Sequence, residues 1–297
     1  MRHTARRLAA CLGLFIAGHA SAELTLTDDL GDTLTLAHPA RRIISLAPHV
    51  TELIYAAGAG ERMVGAVAYS HHPPAAQALP GVGSYTRVDL EAVAALKPDL
   101  IVGWRSGNPP TQIERLRALG IPVYVNESRD LPSVAHTLRQ IGRLAGTEQA
   151  AENAARHFEQ REAALRQRYA GQPPVDVFYQ IWNQPLMTIN GAHLISAVIR
   201  LCGGRNVFET LPLLAPKISV EAVLERNPET IVASGMDESR PEWLDAWRHW
   251  AQIEAVAHDN LFFIPPDLIQ RHTPRILDGA QLLCDQLESA RAKRAPH

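Results

Sequence analysis

Apolar runs of strand length alternate with amphipathic runs of helix length from Ile43 to Leu144: IISLAP, TELIYAAGAG, VGAVAYS, DLEAVAALKP, DLIVGW, TQIERLRALG, IPVYVN and SVAHTLRQIGRLAG. This alternation predicts a parallel sheet with helices on both faces, because parallel neighbours need a crossover helix. The same grammar resumes after Pro174 with VDVFYQIW, AHLISAVIRLCGG, SVEAVLERNP, ETIVASG, NLFFIP and PRILDGAQLLCDQL. It also includes a tryptophan-bearing helix with Trp243, Trp247 and Trp250 at i, i+4 and i+7, a spacing that suits packing. The expected fold is two Rossmann-like α/β lobes with mainly parallel sheets, residues 23–144 and 172–297. Between them Thr147 to Ala170 contains no glycine or proline and sets Ala151, Ala154, Ala155, Phe158, Leu165 and Tyr169 on one helical face. A single helix, 145–171 with its flanks, therefore bridges the lobes over about 36 Å. Such a stiff connection predicts little change of shape when a ligand binds.

One pattern is written twice. Residues 88–104, VDLEAVAALKPDLIVGW, and residues 218–234, ISVEAVLERNPETIVAS, match at a constant offset of 130 residues. A cap residue (Asp89, Ser219) precedes a short helix, proline stops it (Pro98, Pro228), and Ile-Val (Ile101, Ile231) opens a strand. Glu91 and Glu221 occupy the same first-turn place, where a carboxylate suits the helix dipole.

Composition places the chain among soluble globular proteins, with 46% hydrophobic and 20% charged residues. The first 22 residues differ. Arg2, Arg6 and Arg7 precede an apolar run from Leu8 to Ala17 and a small-residue cleavage signal at Ala20-Ser21-Ala22, which predicts a signal peptide cleaved after about Ala22 and an exported, periplasmic chain. That run is too short to span a bilayer, so no stable membrane anchor is expected. Leu8-Ala9-Ala10-Cys11 also spells a lipoprotein-like box, although the apolar run ahead of Cys11 is short. Loss of the leader takes Lys+Arg from 29 to 26 against 31 Asp+Glu, a mature net charge of −5, which argues against a nucleic-acid partner. Cys202 and Cys284 then remain in an oxidising compartment and read as one disulfide, the alternative being two separate buried thiols.

Ligands of α/β sheets bind beyond the carboxyl ends of the strands. The residues that follow the apolar runs are Ala47-Pro48-His49, Tyr69, Tyr85, Trp104-Arg105, Trp182-Asn183 and Asp267 to Arg271. This set is aromatic and polar, which suits a large, flat, partly apolar ligand. It holds no ordered nucleophile, base and acid, so an exported hydrolase finds no triad, Ser45 and His49 being too isolated, and no enzyme is expected. His71-His72, adjacent before two prolines, cannot both easily face one metal ion. Gly58-Ala59-Gly60 and Cys202-Gly203-Gly204 follow helices, so they are helix ends and not nucleotide loops.

At these residues the chain resembles the class III periplasmic solute-binding proteins, which feed cobalamin, siderophores or haem to ABC importers. RIISLAPHVTEL, VAYSHHPP, SYTRVDLEAVAALKPDLIVGWRSGN, LCGGRNVF and DLIQRHTPRILDGAQLLC carry the resemblance, over residues 41 to 290. Within the family the chain is most similar to members that carry cobalamin. The resemblance implies a monomer of two lobes with the ligand between them. It implies ligand contacts from Tyr69, Tyr85, Trp104, Asp267, Leu268, Ile269, Gln270 and Arg271, and a Cys202–Cys284 disulfide. Arg105 and Trp182 join this expected site from their places after strands. The resemblance further implies that Glu91 and Glu221 dock into arginine-rich pockets of a homodimeric permease. Tyr85 replaces a tryptophan, Leu268 an aromatic residue, and Ala215 a cleft tryptophan, departures that predict a looser cleft or a different ligand. Haem is the rival ligand, because Tyr85-Thr86-Arg87 resembles a haem-coordinating setting; the six residues from Tyr85 to Glu91 match the cobalamin type.

Overall fold

A computed structural model of the chain describes residues 23–235 and 239–294. The expected leader, its cleavage point and Cys11 lie outside the described residues. The chain opens with an antiparallel hairpin of β1 (Leu24–Thr27) and β2 (Thr33–Leu36), whose Leu-Thr alternation sends Leu26 and Leu36 into the core. The first lobe follows as β3 (Ile43–Ser45), α1 (Pro48–Ala56), β4 (Met63–Ala66), the short antiparallel pair β5 (Gly83–Ser84) and β6 (Arg87–Val88), α2 (Leu90–Ala95), β7 (Leu100–Trp104), α3 (Pro110–Ala118), β8 (Val123–Asn126) and α4 (Leu131–Ala145). After α5 (Glu148–Tyr169), the second lobe runs β9 (Val175–Gln180), α6 (Leu194–Leu201), β10 (Gly204–Asn206), α7 (Val220–Arg226), β11 (Thr230–Ala233), α8 (Glu254–Ala257), β12 (Leu261–Phe263), α9 (Pro266–Ile269) and α10 (Ile276–Ala292).

Both lobes use one topology. The sheets are ordered β4-β3-β7-β8 and β10-β9-β11-β12, and every pair in them is parallel. In each, the chain's first strand lies second and its third strand lies third, so the repeated sequence supplies the same strand, β7 or β11, to both. Asp89 Oδ1 accepts from the Glu91 and Ala92 amides and Ser219 Oγ from the Ala222 amide. Val93 and Val223 bury the inner faces of α2 and α7, while Glu91 and Glu221 are exposed.

Neighbouring strand residues pack on opposite faces. Ile43, Leu100 and Tyr179 belong to one core, whereas Ile44, Ile101 and Phe178 belong to cores on the other side of their sheets. Strands covered on both faces read as unbroken apolar runs. The first of these cores is continuous through both lobes, from α1 and α4 across Ala151, Ala155 and Phe158 of α5 to α6 and α10. The bridging helix spans Glu148–Tyr169, two residues shorter than the uninterrupted 147–170 stretch. Thr147 does not cap it internally; its hydroxyl donates to Ala57 O at 2.7 Å, tying the helix start to α1. Helix α4 packs closely on α5 because a Cβ at Gly142 would stand 2.3 Å from that of Ala151.

The tryptophan segment departs from the expected α-helix. Glu242–His249 is a 3-10 helix, and with about three residues per turn the i, i+4, i+7 face is lost. Trp247 is buried and its indole N–H donates to Gln180 Oε1 at 2.7 Å, but Trp250 is 37% exposed beyond the helix end. Cys202, at the end of α6, is bonded to Cys284 in α10. The bond closes a loop with a sequence separation of 82, so replacing both cysteines by alanine is expected to lower the unfolding free energy by about 2 to 4 kcal/mol. Urea unfolding of the double variant measures this, and an unchanged midpoint would refute it.

Candidate ligand-binding site

The carboxyl ends of the strands in the first sheet carry the aromatic residues. Trp104 ends β7, Tyr69 follows β4, and Tyr85 lies in the turn between β5 and β6. Tyr85 and Trp104 pack with ring centroids 5.9 Å apart, and Tyr85 stays 39% exposed. Trp104 lies against the Gly107 backbone, where an added Cβ would come within 1.8 Å of the indole. The buried amide of Asn108 fixes this wall. Its Oδ1 accepts from the Trp104 backbone N–H at 2.6 Å, and its Nδ2 donates to Leu46 O at 2.9 Å and Tyr85 O at 2.8 Å. Tyr69 has φ of 66°, in the left-handed region that is uncommon for a residue with a side chain, and presents a ring that is 67% exposed.

The second lobe meets this wall through the segment after β12. Arg271 donates to Glu52 Oε1 at 2.7 Å and to Tyr69 O at 3.3 Å, and pairs with Asp267 at 2.7 Å. Glu52 is 3% exposed and also accepts from Thr273 Oγ1 at 3.2 Å and from Arg275 at 3.4 Å. One buried carboxylate on α1 thus holds three side chains of the other lobe.

Beneath Trp104 the rings continue across the lobe junction. His49 meets Trp104 edge-on at 4.9 Å, His272 lies 5.7 Å from His49, and His193 lies 5.9 Å from His272. Burial pushes the His49 imidazole well below its ordinary pKa, with His272 and Arg271 adding to the effect. Burial likewise lowers His272 to about 4, against an opposing hydrogen bond to the Ser128 backbone, and lowers His193 to about 3 with help from His272. All three are neutral at pH 7. His49 Nε2, His272 Nδ1 and Trp104 Nε1 have no hydrogen-bond partner, a state that costs about 1 to 3 kcal/mol for each buried group.

The structure brings Tyr69, Tyr85, Trp104, Asp267 and Arg271 to one junction. Other expected contacts are placed elsewhere. Ile269 is fully buried in the shared core, because α9 turns it inward. Leu268 lines a groove of about 490 Å³ against Leu165 of the bridging helix and Leu277 of α10. Arg105 donates to Asp29 O at 3.0 Å, toward the entry hairpin. Gln270 donates to Ser234 Oγ at 2.5 Å and secures α9 to the end of β11. Trp182, 38% exposed, shares a separate open pocket of about 580 Å³ with Asn183, Pro241 and Trp243. Sequence reasoning collected His49 as a strand-end residue but missed Glu52, Asn108 and the two histidines, His272 and His193, that continue the stack from it. Asn108 reads as an ordinary turn residue between glycine and proline, and Glu52 as the polar face of a helix. Among the described residues no group of three or more His, Cys, Asp or Glu side chains is arranged to hold a metal ion, and no helix is long and apolar enough to cross a membrane.

Known proteins share this fold. The chain is 36% identical over 284 residues to the vitamin B12-binding protein of Vibrio cholerae serotype O1, covering 96% of this chain and 98% of that one. The crystal structure of the periplasmic vitamin B12 binding protein BtuF of Vibrio cholerae superposes with a TM-score of 0.78 at 37% identity, covering 85% of this chain and 98% of that one. The apo periplasmic heme-binding protein RhuT from Roseiflexus sp. RS-1 shares the fold, with a TM-score of 0.73 at 22% identity over 86% of this chain and 100% of that one. The sequence pattern of the periplasmic binding protein family runs through residues 43–268, across both sheets and the junction between them, and the chain belongs to that family.

Proposed function

We propose that this protein captures cobalamin or a closely related corrinoid between its lobes and delivers it to the homodimeric permease of an ABC importer. The observation that carries the reading is the Tyr85–Trp104 ring pair at the junction where Arg271 of the other lobe donates to the Tyr69 carbonyl and pairs with Asp267, in a chain 36% identical to a vitamin B12-binding protein. Aromatic faces take the flat, apolar part of such a ligand, and the ion pair meets its polar rim. The protein binds its cargo without converting it and works as a monomer in the periplasm, its leader removed after about Ala22. A haem reading would use Tyr85 as an iron ligand; its packing on Trp104 favours a wall instead.

Calorimetry with cyanocobalamin and hemin tests this. One-to-one corrinoid binding is expected, and hemin binding without corrinoid binding would overturn the proposal. Tyr85→Ala and Trp104→Ala are each expected to weaken corrinoid binding by about 1 to 3 kcal/mol, as for buried anchors at interfaces. Wild-type affinity in both variants would make these rings structural only.

Delivery is ascribed to the repeated glutamates. Glu91 and Glu221 are exposed on the first turns of equivalent helices, one on each lobe. Hydrogen bonds from its own amide and from Ser219 hold the Glu221 carboxyl below the usual range, so it is charged at neutral pH. A two-lobed carrier with matching acidic points fits a dimeric partner that presents one basic patch twice. The Glu91→Ala, Glu221→Ala double variant should keep corrinoid affinity and thermal stability while losing uptake, and arginine at both places should be worse. Normal uptake at normal expression would remove the docking role.

A further inference from the structure

The turn that carries Tyr85 is held from the side of α3 by two side-chain amides. Backbone bonds tie the first arm of the β5–β6 hairpin to β4 and the residues after it, Val82 N–H donating to Ala66 O at 3.0 Å and Ala68 N–H to Gly83 O at 2.8 Å. Tyr85 and Thr86 form the two-residue turn between Ser84 and Arg87, and the carbonyls of such a turn lie outside the ladder and need partners from elsewhere. Asn108 Nδ2 donates to Tyr85 O at 2.8 Å, and Gln112 Nε2 donates to Thr86 O at 2.8 Å. Gln112 Oε1 accepts from Val88 N–H at 2.7 Å, so one side chain grips the turn and the returning arm together. Its base is firm. Gln112 stands in the first turn of α3, whose Ile113 and Leu116 share a core with Val82, Val88 and Val93. Asn108 also accepts from the Trp104 backbone N–H at 2.6 Å, so it joins the backbones that carry both rings of the Tyr85–Trp104 contact. Tyr85 is 39% exposed, and burial alone does not fix its ring.

We infer that Gln112, acting with Asn108, is a positioning residue for ligand binding: its amide holds the Tyr85 turn in the geometry that receives the ligand. The inference rests on the corrinoid reading above and adds to it a residue that acts through Tyr85. A side chain that grips both turn and arm removes the turn's freedom before the ligand arrives, and affinity rises because binding no longer has to order it. The place requires an amide. It needs a donor toward Thr86 O and an acceptor toward Val88 N–H at once, which a carboxylate, an ammonium or an alkyl chain cannot supply. The Glu91 helix just beyond Val88 has fixings of its own, the Asp89 cap and buried Val93, so loss of the amide falls on the Tyr85 end of the hairpin.

A double-mutant cycle tests this, read by calorimetry of the mature chain with cyanocobalamin. Gln112→Met, similar in length but without the amide, should weaken binding about tenfold. In a Tyr85→Ala background the same replacement should weaken it less than about twofold, since the side chain that the amide positions is gone. A merely structural role would give the same loss in both backgrounds. Hydrogen exchange over residues 83–89 of the ligand-free protein should quicken in Gln112→Met and slow again when cyanocobalamin is bound. Should Gln112→Met fail to fold, Gln112→Glu serves in the same cycle, because it keeps an acceptor for Val88 N–H and turns an oxygen toward Thr86 O. Wild-type affinity in the folded variant, unchanged exchange, or an equal loss with and without the Tyr85 ring would overturn the inference and leave corrinoid binding intact. A wild-type protein that does not bind cyanocobalamin would overturn the proposed function and this inference with it.

Discussion

Acidification of the ligand-free protein below pH 6.5 is expected to remove about 1.4 kcal/mol of stability per pH unit for each of His49, His193 and His272. In the folded chain burial disfavours the imidazolium, lowering His272 to about 4 and His193 to about 3, with His49 also well below its ordinary value. An unfolded chain takes up a proton on each near pH 6.5. Below that pH the unfolded state binds more protons, so stability is fully present above it and is lost as pH falls toward the folded values. The charges packed around the stack do not reverse the sign. Glu52 and Asp267 are paired with Arg271 and Arg275, and Arg271 itself disfavours a proton on His49. Because the stack joins the lobes, this loss falls on the junction. Urea unfolding at pH 7, 6 and 5 measures the slope. His272→Phe with His193→Asn should flatten it, the asparagine replacing the helix cap that His193 provides through the Ile195 amide. The wild-type slope persisting in that variant, in place of the roughly one-third left by His49 alone, would rule out His193 and His272 as its source.

Glu52→Ala is the second large effect, an expected loss of about 3 kcal/mol or more, because removing one member of a buried ion pair strands the others. Arg271 would keep only Asp267 and the Tyr69 carbonyl, and Arg275 would lose the carboxylate it shares. The damage should be larger than for an exposed pair such as Arg248–Asp259, worth about 0 to 1 kcal/mol. Since Glu52 binds groups more than 200 residues away, the lobes should separate more readily, visible as a larger radius of gyration in X-ray scattering. Corrinoid affinity should fall as well, through the freed Arg271 and the backbone of Tyr69. A variant as stable and as compact as the wild type would show that the carboxylate is not the clasp.

The sequence by itself determined the lobes, their parallel sheets and the helix between them. Strand and helix periodicity are local, and burial on both faces writes itself as unbroken apolar runs such as DLIVGW and ETIVASG. The duplicated cap, glutamate and proline also fixed an equivalent place in each lobe before any topology was known, and the identical strand orders agree with it. Tyr85 and Trp104 were legible as strand-end residues, and the disulfide from its compartment. Tertiary structure decided which polar residues meet. Glu52 and Arg271 lie 219 positions apart, and His49 and His272 are joined only because both sheets point their carboxyl ends at one junction. No local pattern separates Glu52 from a solvated helical glutamate, or Ile269, which α9 turns into the core, from the exposed Tyr85. Burial, charge pairing and unmet hydrogen bonds depend on what comes from far along the chain, so the recognition chemistry of this site exists only once the lobes have packed.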